Sequence, residues 1–227
     1  MGYYASYILY MLPAFLLAMF AQIKVKSNFS KYSKIHSRNG YTAAMVARMI
    51  LDNNGLQQVA IDRVPGSLTD HFDPRTNVIR LSDSVYNSTS VAAIGVAVHE
   101  VGHAIQYSVG YTPIKIRSAI IPVSQIGSSL SWPLFFIGLI FRSDLLMIAG
   151  IVLFSLVVLF QLVTLPVEYN ASHRALDTLQ TYQYLGTDEV QGARKVLSAA
   201  ALTYVASLAT ALLQLLRLVA LAGNRRD

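Results

Sequence analysis

The sequence predicts an α+β integral membrane protein, mainly helical, with about four transmembrane helices and one small domain in which a short β-sheet or hairpin precedes a helix carrying two histidines. Three observations predict it. The 227 residues are 54% hydrophobic and only 13% charged, too apolar for a soluble globule. Residues 3–23, 118–141 and 145–167 carry no charge over 21, 24 and 23 positions, and about 20 apolar residues span a hydrocarbon core of about 30 Å. Between the first and second of these runs lies a mixed polar stretch that ends in His-Glu-Val-Gly-His, residues 99–103.

The first run has no lysine or arginine before it, so it lacks the basic start of a cleaved signal peptide and is expected to stay as an anchor. Residues 1–6 also fit the loose pattern for N-terminal myristoylation, but Ser6 already lies inside the apolar run. Lys24, Lys26, Lys31, Lys34 and Arg38 follow directly. A basic cluster on the exit side of a span marks the cytoplasmic face, which leaves the N-terminus outside.

Residues 40–106 read as a soluble domain. Apolar residues at helical spacing (Ala44, Val46, Ala47, Met49, Ile50) predict a helix over 41–53, stopped by Asn54 and Gly55. Residues 59–64 read as a strand, Pro65-Gly66 as a turn, and residues 68–72 and 78–81 as a hairpin around Asp-Pro-Arg-Thr-Asn. The run that follows from Ser90 reads as a helix with no polar face, yet it delivers His99, Glu100 and His103. On a helix, positions i and i+4 share a face, so both imidazoles can aim at one point while Glu100 reaches the same space as a base toward water. With five histidines and three glutamates in the chain, chance gives this zinc-hydrolase pattern roughly once in a thousand shuffles. A buried carboxylate and two imidazoles without a metal or partner would cost several kcal/mol.

The runs 118–141 and 145–167 are separated by Arg142-Ser143-Asp144 and read as a transmembrane hairpin, with kinks or ends at Pro122 and Pro133. Two crossings return the chain to the side of His99 and His103. A catalytic zinc site keeps three protein ligands and an open position. Of three glutamates, Glu100 serves as base and Glu189 suits a helix N-terminus, so Glu168 is the expected third ligand. Residues 187–216 read as one long helix, amphipathic and then uncharged, with small residues Ala206 and Thr210 suited to close packing. As a fourth span it would leave Arg217, Arg225 and Arg226 outside, against the positive-inside tendency. Fourteen of the 18 Lys and Arg nonetheless fall in residues 24–117 and 166–195. The resulting partition is an N-terminal span 1–23, a cytoplasm-facing domain 24–117, a hairpin 118–167, a third-ligand segment 168–195, and a last membrane or membrane-associated helix 196–222.

No cysteine occurs, which excludes disulfides, thiolate zinc sites and cysteine nucleophiles. The net charge of +6 comes without any nucleic-acid readout motif, and membrane topology explains it, so no nucleic acid is expected as a partner. Phosphate loops, serine elbows and repeats are absent.

Over essentially its whole length the chain resembles the YugP-like membrane-bound neutral zinc metallopeptidases. The matching stretches are residues 68–74 and 78–82, then 90–106 around His-Glu-Val-Gly-His, then 166–172 with 174–176, and finally 192–197 with 200–206. The resemblance implies a zincin-like, membrane-anchored zinc endopeptidase of gluzincin type, with one catalytic Zn²⁺ held by His99, His103 and Glu168 and with Glu100 as base. Many gluzincins carry an aspartate four residues after the ligand glutamate, whereas this chain has Ser172. Support for the ligand histidines is then expected from elsewhere, with Asn170 and Asp177 as candidates. An oxyanion stabiliser is expected among His71, His173 and Tyr204, with His71 first because it sits in the hairpin ahead of the metal helix, where an edge strand could align substrate. The expected partners are a protein or peptide substrate, itself membrane-associated in one version of this reading, and the lipid bilayer. The alternatives are an inactive zinc-binding membrane scaffold and a non-peptidase metal hydrolase acting on lipid head groups.

Overall fold

The computed structural model describes residues 3–223, with side chains from residue 8 onward; Gly2 of the acylation pattern and Arg225 and Arg226 of the tail lie outside the described residues. The protein is an α+β membrane protein. Its elements run α1 (Tyr3–Tyr32), α2 (Ala43–Asn53), β1 (Ala60–Val64), β2 (His71–Asp73), β3 (Val78–Ser82), α3 (Val91–Ser108), α4 (Thr112–Phe141), α5 (Asp144–Thr181) and α6 (Thr187–Gly223). Among the described residues, α1, α4, α5 and α6 are long and apolar enough to cross a membrane.

Three helices outrun the uncharged stretches that announced them: α1 continues to Tyr32, α5 to Thr181 and α6 to Gly223. Helical hydrogen bonding does not stop where hydrophobicity stops, and residues 167–181 contain neither glycine nor proline to break it. Pro13, Pro122, Pro133 and Pro166 are all accommodated inside helices, as neighbouring helices allow in membrane proteins.

Backbone contacts divide the chain into two compact units. One, the membrane unit, comprises Met1–Gln22, Thr112–Pro166 and Leu202–Asp227. Its interior is built on Phe135, Met147, Phe154, Val158, Ala211 and Leu218. Phe15, Ile140, Phe141 and Leu145 stay exposed, the pattern of a surface meant for lipid. Helices α4 and α5 approach so closely that a Cβ on Gly150 would lie 2.7 Å from the Ser131 carbonyl oxygen; small residues permit such backbone proximity where lipid offers no hydrophobic drive to pack.

The other unit comprises Ile23–Tyr111 and Val167–Ala201. Helix α2 starts at Thr42, whose hydroxyl accepts from the Met45 N–H, and buries Val46, Ala47, Ile50 and Leu51 against the apolar start of α3, part of the same core. The sheet has the order β1-β3-β2, with β1 parallel and β2 antiparallel to β3. The β2–β3 hairpin turns through Asn77 at φ +56°, a conformation asparagine tolerates. Asp73 braces the turn by accepting from the Arg75 N–H at 3.0 Å and the Thr76 hydroxyl at 2.9 Å. Helix α3 is capped by Ser90, which accepts from the Ala93 N–H. Past its last residue, Ser108, the chain reverses at Gly110, φ +67°, where the Tyr111 N–H returns to the Gln106 carbonyl at 2.9 Å and the Gly110 N–H to the Tyr107 carbonyl at 3.2 Å, a Schellman closure.

Candidate metal centre

Helix α3 presents His99, His103 and Gln106 along one face, at spacings of four and three residues. The end of α5 lies against that face. Gly102 makes the approach possible, since a Cβ there would sit 2.6 Å from the Ala171 carbonyl oxygen. One turn before Ala171, Glu168 is directed at both histidines: its Oε2 lies 3.3 Å from His99 Nε2 and 3.6 Å from His103 Nε2. The ligand atoms of these three residues all fall within 4.8 Å of one another, and the imidazole rings stand nearly perpendicular, 82° apart.

The hydrogen bonds behind the histidines decide which nitrogen faces Glu168. Gln106 Nε2 donates to the Val167 carbonyl at 2.8 Å and to Asn170 Oδ1 at 3.0 Å. A backbone carbonyl only accepts, so the Gln106 amide is oriented unambiguously and its Oε1 is left for His103 Nδ1 at 3.0 Å. Nδ1 of His103 therefore carries a proton, and Nε2 is the nitrogen that faces Glu168, where a metal would take the place of a second proton. His99 Nδ1 has the Ser172 hydroxyl at 3.1 Å, which holds the other ring. Two imidazoles, each supported from behind, and one carboxylate are a donor set that suits Zn²⁺ and leaves a coordination position open.

Glu100, only 8% exposed, is anchored on its far side: its Oε2 accepts from the Phe72 N–H at 3.0 Å. β2 is the edge of the sheet, and this N–H is spent on the metal helix instead of on a sheet partner. The local charge is strongly negative. Burial disfavours a charged imidazole at His103, but the hydrogen bond to Glu168 and the charges of Glu100 and Glu168 outweigh it and hold His103 above the usual histidine range. A dication answers the same field. Burial likewise raises Asp70, helped by the Glu100 charge and opposed by bonds from the Ser82 N–H and hydroxyl.

The sequence-predicted residues divide by position. His99, Glu100, His103 and Glu168 belong to one cluster. His71 lies on β2 with an exposed ring whose Nδ1 is 2.9 Å from the Thr69 carbonyl oxygen. His173 points outward and pairs with Asp177 at 3.1 Å. Tyr204 belongs to the membrane unit. Glu189 takes the helix-start role: its Oε2 accepts from the Gly186 N–H at 2.7 Å and its Oε1 from the Arg38 N–H at 2.9 Å, a capping arrangement at the beginning of α6. Of the two residues expected to support the histidines, Asn170 does so indirectly and Asp177 pairs with His173 instead. Ser172, noted in the sequence only as a departure, is itself the partner of His99. Gln106, not considered, holds His103, and Asn170 acts through Gln106. The available signal was Gln106 three residues after His103 on an otherwise apolar helix.

Comparison with known proteins identifies the family. A family model described as "Putative neutral zinc metallopeptidase" matches residues 7–223. A relative from Bacillus subtilis (strain 168), named "Putative membrane protease YugP", is 49% identical over 211 residues, covering 93% of this chain and 94% of its own. No solved structure matches the chain significantly. With the family model spanning nearly the whole chain and the His99, His103 and Glu168 cluster inside it, this protein belongs to the neutral zinc metallopeptidase family.

Proposed function

We propose that the protein is a membrane-anchored zinc endopeptidase whose centre is His99, His103 and Glu168 with Glu100 as general base. The observation that carries this reading is the convergence of both Nε2 atoms on Glu168 Oε2, at 3.3 and 3.6 Å, beside a buried glutamate one residue along the same helix. When bound, zinc supplies Lewis-acid polarisation of the scissile carbonyl and acidifies water next to Glu100. Glu100, held through Oε2 by the Phe72 N–H, keeps Oε1 to take the water proton, and then delivers it to the nitrogen released as the peptide carbon–nitrogen bond breaks. His71, His173 and Tyr204 are the candidates to donate to the oxyanion, a role worth about 2.7–4 kcal/mol in comparable sites.

The charge pattern supports a multi-pass cell-membrane protein with its N-terminus outside and the site on the cytoplasmic side. In this reading residues 1–23, 118–167 and 196–222 anchor the chain, while 24–117 and 168–195 carry the chemistry.

The test is cleavage of peptide and phospholipid substrates by purified protein, with and without chelator, for wild type and Glu100→Gln. Expected are chelator-sensitive peptide cleavage and its loss by at least about 100-fold in Glu100→Gln with zinc content unchanged. Cleavage of phospholipid alone would replace the peptidase reading with lipid head-group hydrolysis. Zinc bound without any hydrolysis would leave a metal-holding scaffold.

A further inference from the structure

The membrane unit contains a cavity of about 520 Å³ lined from α1, α4, α5 and α6, within the range of about 300–1,000 Å³ typical of ligand sites. Three glutamines on three different helices line it: Gln22, Gln161 and Gln214. Ser207 and Thr210 line it as well, but their hydroxyls donate to the Thr203 and Ala206 carbonyls of their own helix, at 2.9 and 2.7 Å. The hydroxyls thus offer only acceptor capacity, and the amides supply the donors.

Gln214 is buried, Gln161 half-buried and Gln22 exposed, and glutamines on packed helices commonly serve as glue, bonded to one another across helices. Here that explanation fails, because among the described residues no hydrogen bond joins the three amides to each other. Gln214 is 7% exposed and its Nε2 has no acceptor. Polar groups left unsatisfied at membrane depth are costly and mark sites of function.

A primary amide both donates and accepts, so its best complement does the same. The ester groups of a lipid bring acceptors only and would leave the amide oxygens unanswered, and the donors of its head group lie outside the hydrocarbon. A peptide group brings one N–H and one C=O. Within a regular membrane helix both are already used, so the complement is a segment whose helix is locally open. We propose that this cavity binds a membrane-spanning polypeptide segment with a locally unwound turn, whose free peptide groups pair with Gln22, Gln161 and Gln214. The assignment deepens the peptidase reading and rests on it for its purpose: the segment is the substrate, and the substrate class is membrane-embedded protein. Gln161 stands seven residues before Glu168 in the same helix, α5.

The test measures binding without turnover. The full-length Glu100→Gln protein, in lipid nanodiscs, is titrated with a fluorescent membrane-spanning peptide of about 21 Leu and Ala residues carrying Pro-Gly at its centre, and with the same peptide lacking Pro-Gly. The expected result is at least tenfold tighter binding of the Pro-Gly peptide, and at least tenfold loss of that binding in Gln161→Leu/Gln214→Leu with zinc content and thermal midpoint preserved. A photo-crosslinker replacing Val157, which lines the cavity, should label the Pro-Gly peptide in the protein with all three glutamines intact. Equal binding of the two peptides, labelling of lipid only, or labelling of a second copy of this chain would each overturn the proposal. Because no arm depends on hydrolysis, a wild type that cleaves nothing would sink the peptidase reading while the binding site stood or fell separately.

Discussion

The Ser172 hydroxyl lies 3.1 Å from Nδ1 of His99, at the position where an aspartate would be expected to steady a zinc-bound histidine. A hydroxyl can hold the ring, but it donates as readily as it accepts, so it does not fix the tautomer, and it adds no negative charge behind the imidazole. Removing such a partner typically costs about 10–100-fold in metal affinity. Ser172→Ala should weaken zinc binding in that range, and Ser172→Asp should recover it or exceed wild type. Zinc titration against a competing chelator reads both, and equal affinity in all three proteins would show that the contact does not support the ligand.

Gln106 ties three groups together: His103, the Val167 carbonyl and Asn170. It is fully buried, so bulk water does not reach these groups. Gln106→Leu should leave His103 Nδ1 without its partner, a loss of about 1–3 kcal/mol, and remove the side-chain donor that the Val167 carbonyl has beside its helical one, together with weaker zinc binding. Gln106→Glu keeps the acceptor for His103 but loses the donor to Val167, so its zinc affinity should exceed that of Gln106→Leu. Thermal unfolding and zinc titration of the two variants check this.

Gly102 allows the metal helix to touch the end of α5, with 2.6 Å between its would-be Cβ and the Ala171 carbonyl oxygen. Gly102→Ala must push the two segments apart. The expected overpacking cost is about 1–3 kcal/mol, and since Glu168 belongs to the displaced segment, zinc stoichiometry should fall while helix content by circular dichroism stays. Full zinc loading in Gly102→Ala would contradict the close contact.

Two carboxyls three residues apart should answer pH in opposite senses. Donors from Arg75, Thr76 and Arg80 hold Asp73 below the ordinary carboxyl range. Its contribution to stability is therefore present above about pH 3.9 and is lost as pH falls through the lower folded value. Asp70 is raised by burial, so its contribution is present below about pH 3.9 and is lost as pH rises through the higher folded value. Thermal midpoints of Asp73→Asn and Asp70→Asn across the acid range should diverge from wild type on opposite sides, Asp73→Asn losing its deficit at low pH and Asp70→Asn gaining relative to wild type toward neutrality. Parallel curves would refute the assignment.

Much of the fold was legible because it is written in local periodicity. Charge-free runs of 21–24 residues announce membrane-spanning helices without any tertiary information, and the β2–β3 hairpin follows from Asp-Pro-Arg-Thr-Asn. The ends of α1, α5 and α6 were not legible from the apolar runs, since a helix leaving a membrane continues as long as its backbone bonds are unbroken. The parallel pairing of β1 with β3 was equally silent, because the intervening strand β2 separates them in sequence.

The sequence by itself determined that two histidines and a glutamate share a turn of helix, because a four-residue spacing on a helix is a geometric fact. A chain with three glutamates also left few choices for another carboxylate near them. Only the tertiary structure decided that Glu168 Oε2 lies against both Nε2 atoms, that Ser172 stands behind His99, that Val167 and Asn170 orient the Gln106 amide, and that the Phe72 N–H holds Glu100. The physical reason is that a hydrogen bond needs its partners at about 3 Å and in line. Between residues 28 to 73 positions apart, that is set by how close helix backbones can come, here by a glycine on α3, which no local pattern encodes.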